Sequence, residues 1–547
     1  MMFSRIKRVP ANPPSAPKMH QLEESFERLR RILRCVRLTA ARTIVVECII
    51  FAFAFDALMP DSMYFSPDSV TYLSGSSVVP PVFSLLARTL VTAELGLGAE
   101  HVVLLRYISI FLYSLGGWLI ARALIRAGRP ILACLVVPTL WSANSLIYWF
   151  NYLLTEGIVT ALLIICLGAY ANLQVSLTMK PPGQPRSWLI LFIGAGMAAF
   201  SLRPAFMFVA PVMILMLLSR GVFSRRRFLA GSAGVVISIV GLNLFTFLWH
   251  GKLPQQSGGV LTALVFDLPL PSGGGDEADA ATTRQVQQAL EPFIKKYRDL
   301  GSDNDRFLYK ALNNIDVVRP AILAAVGNHD SNHILTEEDV VGANPVLTRI
   351  AVRKIKHNPG AYFTLVVKNS YYAMKTWGDW YRNDFLGPRG APAEALQGTK
   401  AVAPLLRSKA RIEFDPTILS PIPERWYTDY LFQAQKLLLS GHVIHNYTPI
   451  FFALVLLAWV LPFVLLPSIE ATILFGCCIL GGTGLLFQNA AFPVIPRLLA
   501  PLHPLWSLGA LMLLGIVVDK GIVALRLVWR KPAKKRTQLD QHGIGVH

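Results

Sequence analysis

Residues 153–173 read LLTEGIVTALLIICLGAYANL, an apolar run with a single charged residue, Glu156, near its start. A helix of roughly 20 apolar residues crosses a hydrocarbon core about 30 Å thick. This run therefore reads as a membrane span with a carboxylate at one end. Working outward, the same pattern recurs at 41–60, 102–121, 130–149, 187–201, 204–219, 228–249, 447–466, 470–489 and 499–518. The pair at 187–201 and 204–219 is short and split at Arg203-Pro204. One broken helix is the alternative to two spans there, and it would reverse the orientation of everything that follows.

The composition agrees with a chain that faces lipid. Hydrophobic residues make up 53% of the 547, charged residues 16%, and the mean hydropathy is +0.46. Soluble domains carry about 25% charged residues. The predicted fold class is mainly α: a polytopic helical bundle of about ten spans, with surface helices in the first outer loop and a large extracytoplasmic insert. The organisation predicted is a basic arm at 1–40, a membrane region at 41–249, an insert at 250–446, a second membrane region at 447–519 and a basic tail at 520–547. Residues 19–38 have helical spacing of Leu22, Phe26, Leu29, Leu33 and Val36, which suits a basic amphipathic helix on the inner leaflet. About forty polar residues precede the first run, so it is expected to act as an uncleaved anchor.

Lys and Arg concentrate in short cytoplasmic loops. Arg28, Arg30, Arg31, Arg34 and Arg37 precede the first span, Arg122, Arg126 and Arg129 follow the second, and Arg225, Arg226 and Arg227 follow the sixth. Together with Arg530 to Arg536, these fall on one side if the spans number ten and both termini are cytoplasmic. The net charge of +19 raises nucleic acid as a partner, but the insert holds 22 basic and 20 acidic residues, so the excess lies beside the spans. There it sets topology and meets anionic lipid; no nucleic-acid partner is expected. The six cysteines include none in the insert, so that domain is expected to fold without disulfides. Cys477-Cys478 lack metal-ligand spacing and read as packing residues.

Within the first outer loop, 61–101, Pro67 suits a helix start, with the helix running through Tyr72; Pro80-Pro81 then open a second apolar segment. Asp68 and Tyr72 are four apart and share a helical face. A capping role for Asp68 is the plain alternative. Glu156 is placed at the outer end of its span, where an ionisable residue is costly unless it meets a polar cavity; the alternative is a solvated helix end. Arg203 and Arg497 also fall on the outer side, against the positive-inside tendency. A guanidinium there suits a phosphate, or else snorkels to headgroups. His503 and Glu47 read as polar groups of the bundle interior, with His503 kept among the substrate-binding candidates. In the insert, helices are expected at 283–300, 304–315, 345–357 and 360–378, with no strand pattern.

These features resemble the GT-C superfamily of membrane glycosyltransferases, which includes protein O-mannosyltransferases and the lipid A aminoarabinose transferase. The resemblance rests on Asp68-Ser69 with Tyr72, Pro80-Pro81-Val82-Phe83, Thr155-Glu156, Arg203-Pro204 and the run from Arg497 through Pro504. It covers the membrane region and not the insert; many relatives carry an Asp-Glu pair where this chain has Asp68-Ser69. The resemblance implies transfer, with inversion, of a sugar from a polyprenyl-phosphate donor to an acceptor hydroxyl or amine at the outer face. Asp68 would be the general base, Arg497 and Arg203 would hold the leaving phosphate, and Glu156, Tyr72 and His503 would bind substrate. No metal or other cofactor is expected beyond the lipid-linked donor. The partners expected are membrane lipid, that donor, and an acceptor that is protein, lipid or glycan. The expected location is a bacterial inner membrane with the insert periplasmic. A transporter or flippase, a surface-polysaccharide ligase or polymerase, and a non-catalytic assembly subunit are the competing readings.

Overall fold

The computed structural model describes residues 16–530 except 58, 60–61, 77–78, 98–100, 143–149, 151, 179–183, 220–222, 252–256, 271–276, 329, 331, 384–392, 413–452, 454–467 and 492–499. The first helix, α1 (Ala16–Asp56), is continuous. The amphipathic arm is therefore not a separate surface helix, a difference from the sequence reading. The reason is local: from Lys18 to Phe55 the chain has no Gly or Pro to interrupt the backbone ladder. Two short helices follow, α2 (Pro67–Ser74) and α3 (Pro81–Gly96), as the prolines suggest.

α4 (Leu104–Arg126) begins where Glu94 Oε1 accepts hydrogen bonds from the backbone N–H groups of Val103 and Leu104, at 2.8 and 2.7 Å. A carboxylate there satisfies orphan donors and complements the helix dipole. α5 (Pro130–Cys134) and α6 (Val136–Trp141) occupy part of the expected third span. α7 (Thr155–Thr178) is buried almost all round. It meets α4 where side chains are absent: a methyl added at Gly168 would lie 2.7 Å from Leu119 Cβ, and one at Gly116 would lie 2.8 Å from Ile164 Cγ2. Small residues let helices approach in this way where lipid supplies no hydrophobic drive. Asn172 Nδ2 then donates across the contact to Leu119 O at 2.7 Å.

α8 (Pro185–Leu202) ends at Arg203, a 3-10 turn spans Pro204–Phe206, and α9 (Val209–Leu217) follows. A Cβ on Gly196 would strike Met213, and Leu217 and Leu189 both approach Gly231. Residues nearly equidistant from Pro204 thus face each other, so the segment is a hairpin and not one broken helix. α10 (Arg225–His250) packs beside it.

The insert is helical throughout its described part: α11 (Ser257–Val265), α12 (Glu277–Arg298), α13 (Asp303–Leu312), α14 (Asn314–Ala325), α15 (Glu337–His357), α16 (Pro359–Asn383) and α17 (Ala393–Leu405), closed by a π turn at Leu406–Ala410. Four of these match expected helices; α11, α14 and α17 were not foreseen. A core of its own joins Phe266, Val286, Leu290, Ile322, Leu347 and Ile350. The chain returns to the bundle with α18 (Ile469–Ala491) and α19 (His503–Arg530). Among the described residues, seven helices are long and apolar enough to cross a membrane and no strand is present. The protein is multi-pass; the expected span at 447–466 and Arg497 lie outside the described residues.

The two ends of the bundle differ. At one, Arg129 ties three elements together, pairing with the buried Glu470 and, through two 3.1 Å bonds, with Asp519. At the other, the insert docks. His250 Nε2 lies 3.2 Å from Val79 O, the Tyr362 hydroxyl donates to Ala490 O, and Thr399 Oγ1 both accepts from Phe65 N and donates to Phe65 O, each at 3.1 Å.

Inside the insert, two buried lysines close the end of α11. Lys310 Nζ donates to Leu264 O at 2.9 Å and pairs with Asp267, and Lys354 Nζ donates to Phe266 O at 2.7 Å. Cations suit the negative end of a helix. Burial nevertheless dominates and pushes Lys354 down to about 8; Asp267 opposes the shift and Lys310 adds to it. A lysine whose folded pKa lies below its unfolded value costs stability while charged, and the cost disappears as pH rises from about 8 toward the ordinary value of 10.5. The insert should gain about 1–2 kcal/mol between pH 8 and pH 9.5. Above about pH 10, Tyr297, whose pKa burial raises, works in the opposite direction. Hydrogen exchange over α15, corrected for intrinsic rate, should slow across this window in the wild type and slow less in Lys354→Met, where only Lys310, also pushed down by burial, still titrates.

Candidate functional site

The site begins with the turn into α2. Ser66 is its N-cap: its Oγ accepts from Ser69 N at 3.3 Å, while Ser69 Oγ accepts from Ser66 N at 3.0 Å. Pro67 occupies the first helical position, where its missing N–H costs nothing. Gly75, at φ 70°, ends the helix in the left-handed conformation that glycine tolerates. Asp68 is thus in the first turn and is not the cap, which removes the plainest alternative for it.

The turn is stitched to the start of α7. Ser69 Oγ donates to Leu153 O at 2.9 Å, and Leu153 N donates to Tyr64 O at 2.9 Å. The Tyr64 and Tyr152 rings pack at 5.7 Å. Two residues beyond this seam, α7 opens with Thr155 and Glu156. Glu156 is fully buried, so it is not a solvated helix end. Its Oε2 accepts from Thr155 Oγ1 at 3.2 Å, and its Oε1 pairs with Arg203 Nη1.

Arg203 arrives from α8. Pro204 disfavours helical geometry at the residue before it, and Arg203 adopts extended φ and ψ of −158° and 138°. That turn swings the guanidinium toward α7 and α2. Its Nη2 lies 3.8 Å from Asp68 Oδ2. Burial works against the charge on Arg203, but Tyr72, Glu156 and Asp68 together outweigh it, so its pKa stands above the ordinary value. Arg203 is therefore engaged with carboxylates and does not snorkel. Exposure falls steeply through the cluster: the Asp68 side chain is 38% exposed, Arg203 16% and Glu156 0%.

Asp68, Tyr72, Glu156 and Arg203, which are far apart in sequence, converge at the insert-bearing end. Tyr72 is buried, edge-on to Phe83 at 4.7 Å, on the helical face it shares with Asp68. His503 starts α19 as a buried group with its ring 5.2 Å from that of Trp506, as a residue of the bundle interior. Among the described residues no group of three or more His, Cys, Asp or Glu could hold a metal. Sequence reasoning named Ser69 only within the motif and missed Thr399; their hydroxyls hold the α2 turn in place. It also missed Arg106, a buried arginine at this same end, 3.8 Å from Asp56. Arg106 violates the positive-inside pattern just as Arg203 does, so the signal was available.

No family model and no curated protein matches this chain. Two solved structures are similar to it. One is ArnT from Cupriavidus metallidurans bound to undecaprenyl phosphate, at 12% identity and a TM-score of 0.30, covering 86% of this chain and 77% of that one. The other is the same protein in the apo state, at 12% identity and 0.30, covering 82% and 76%. So low a score carries no argument for function.

The geometry predicts a specific loss. Arg203→Ala leaves the Glu156 carboxylate buried without its cation, and such a break costs about 3–5 kcal/mol. Thermal unfolding in nanodiscs should show a large fall for Arg203→Ala, and more than half of it should return in the double variant with Glu156→Gln. An unchanged midpoint in the single variant would mean that the pair does not hold the site together.

Proposed function

We propose that this protein is an integral-membrane glycosyltransferase that moves a sugar from a polyprenyl-phosphate donor to an acceptor, with inversion. The observation that carries the reading is the convergence of Asp68, Glu156 and Arg203 from three separate elements, with only Asp68 substantially exposed. Transfer needs a base that takes the acceptor proton as the nucleophile attacks the anomeric carbon. Asp68 is the group with the access for it. Glu156 is inaccessible and acts as a positioning residue, anchoring the guanidinium that orients Asp68. This revises two expectations, that Glu156 binds substrate and that Arg203 holds the leaving phosphate: the guanidinium is already committed to two carboxylates. The phosphate contact is assigned to Arg497.

The step is a single displacement. The acceptor oxygen or nitrogen bonds to the anomeric carbon, its proton passes to Asp68, and the C–O bond to phosphate breaks with its electron pair leaving on the lipid phosphate. Arginine suits the growing negative charge on that oxygen. The donor is the only cofactor-like molecule in this reading. The acceptor is approached from the insert-bearing end, where the π turn at Leu406–Ala410 and α17 lie against α2. In this reading the insert roofs the site, and that end faces the periplasm of a bacterial inner membrane.

The test is release of free polyprenyl phosphate from a panel of polyprenyl-phosphate sugars by the purified full chain in nanodiscs, with candidate acceptors supplied. Asp68→Asn should lower the rate by at least about 100-fold, the contribution typical of general-base catalysis, while binding the donor as the wild type does. Full activity in a folded Asp68→Asn protein would remove Asp68 as base. Absence of donor binding in the wild type would end the reading altogether.

A further inference from the structure

The end of the bundle away from the insert holds a cavity that the proposed reaction does not use. Its volume is about 390 Å³, and its polar lining is Arg126, Arg129, Gln174, Thr178, Ser468 and Glu470. Arg126 ends α4, Thr178 ends α7, and Ser468 directly precedes α18. Three helices long enough to cross a membrane therefore terminate around one space. Helix ends of this kind lie in the polar layer that flanks the hydrocarbon core, where the phosphates of the lipids are.

The lining selects an anion. Two arginines against one glutamate leave one positive formal charge. Asp519, paired with Arg129 from outside the lining, removes that charge, and Arg122, one turn before Arg126, restores it. Arg129 gives its Nε–H to Glu470 and one N–H from each Nη to Asp519. A guanidinium has five N–H donors, so two are left. Ser468 Oγ accepts from Ala471 N at 3.3 Å, which places the N-terminus of α18 and the positive end of its dipole at the same cavity.

Gln174 adds a neutral donor. It is 6% exposed and borders the cavity, and its amide has no hydrogen-bond partner among the described residues. Water would serve that amide, but it would not answer the charge. Guanidinium groups match phosphate oxygens in shape and sign, and basic pockets between membrane helices take lipid headgroups. We propose that this cavity binds the phosphodiester of a membrane phospholipid, with Arg126 and Arg129 on its oxygens and Gln174 as a further donor. The single charge of a phosphodiester matches the single excess charge of the lining, with Glu470 held by Arg129. A lipid seated there ties the ends of α4, α7 and α18 together, whatever the chemistry at the other end of the bundle.

The experiment takes the purified full chain, stripped of lipid in detergent, and measures its dissociation constants for three probes. These are dioleoyl phosphatidylglycerol, dioleoylglycerol, which has the chains without the phosphate, and inorganic phosphate. The wild type should bind the phospholipid far more tightly than either of the others. Arg126→Gln and Gln174→Leu should each weaken phospholipid binding about tenfold, the loss of one hydrogen bond to a charged group. Arg225→Gln, which removes an exposed arginine outside the lining, should leave it unchanged. Should Arg126→Gln not fold, Gln174→Leu, which only replaces a buried amide by an apolar side chain, carries the test. Equal binding of dioleoylglycerol would overturn the proposal by placing recognition on the chains. Inorganic phosphate binding as tightly as the phospholipid would overturn the lipid as its source. Phospholipid affinity that neither lining variant changes, or that Arg225→Gln lowers as much, would overturn the cavity as the site.

Discussion

A carboxylate with no exposure, set at the mouth of a membrane helix, must have a cation brought to it. Glu156 is that carboxylate, and Arg203 is brought to it by a proline-broken turn in which the arginine itself is extended. Much of the local architecture follows from the demand. α8 must end level with the start of α7. The hairpin of α8 and α9 must close there, which the facing pair of Gly196 and Met213 allows. The turn into α2 must lie alongside, which the Ser69 and Tyr64 bonds to Leu153 accomplish. Buried ion pairs return little net stability against an apolar alternative. Their worth here is in specifying one arrangement of three otherwise unrelated segments.

The insert contributes a second constraint on the same place. Its own core and the two lysines beneath α11 make it a packed unit, and it reaches back to the bundle at points that bracket the cluster. Thr399 grips both backbone groups of Phe65, one residue before the N-cap of α2. Tyr362 grips the end of α18 at Ala490. The same domain thereby touches both the turn that carries the exposed acid and the end of a membrane-length helix.

Much of the fold was readable from residue order because its signals are local. Apolar runs of span length mark α4, α7, α10, α18 and α19, and Pro67 marks the start of α2; its serine cap and glycine end were not read. The unforeseen parts depend on contacts. The continuity of α1 follows from the absence of a breaker, which periodicity does not report. Hairpin and broken helix share the same apolar pattern on either side of Pro204, and contacts such as Gly196 against Met213 separate them. Asp68, Glu156 and Arg203 stood out because charge is expensive where they sit. That Arg203 would be used up by its own carboxylates was not legible, since pairing is a property of the tertiary fold.

The charge arithmetic of the cluster shapes the proposed reaction further. Asp68 and Glu156 share the Arg203 guanidinium, so by formal charge these three side chains sum to minus one. A donor phosphate adds negative charge beside it, and a site of that sign repels the very group it must stabilise as the glycosidic bond breaks. Arg203 cannot offset this, because turning to the phosphate would strand Glu156 in the apolar interior. The proposed reaction then calls for a second cation on the phosphate side, and Arg497, shortly before His503 in the sequence, is the residue this proposal assigns to it. In the proposed reaction the two arginines have separate duties: one holds the acids in place, and the other receives the charge that bond cleavage releases.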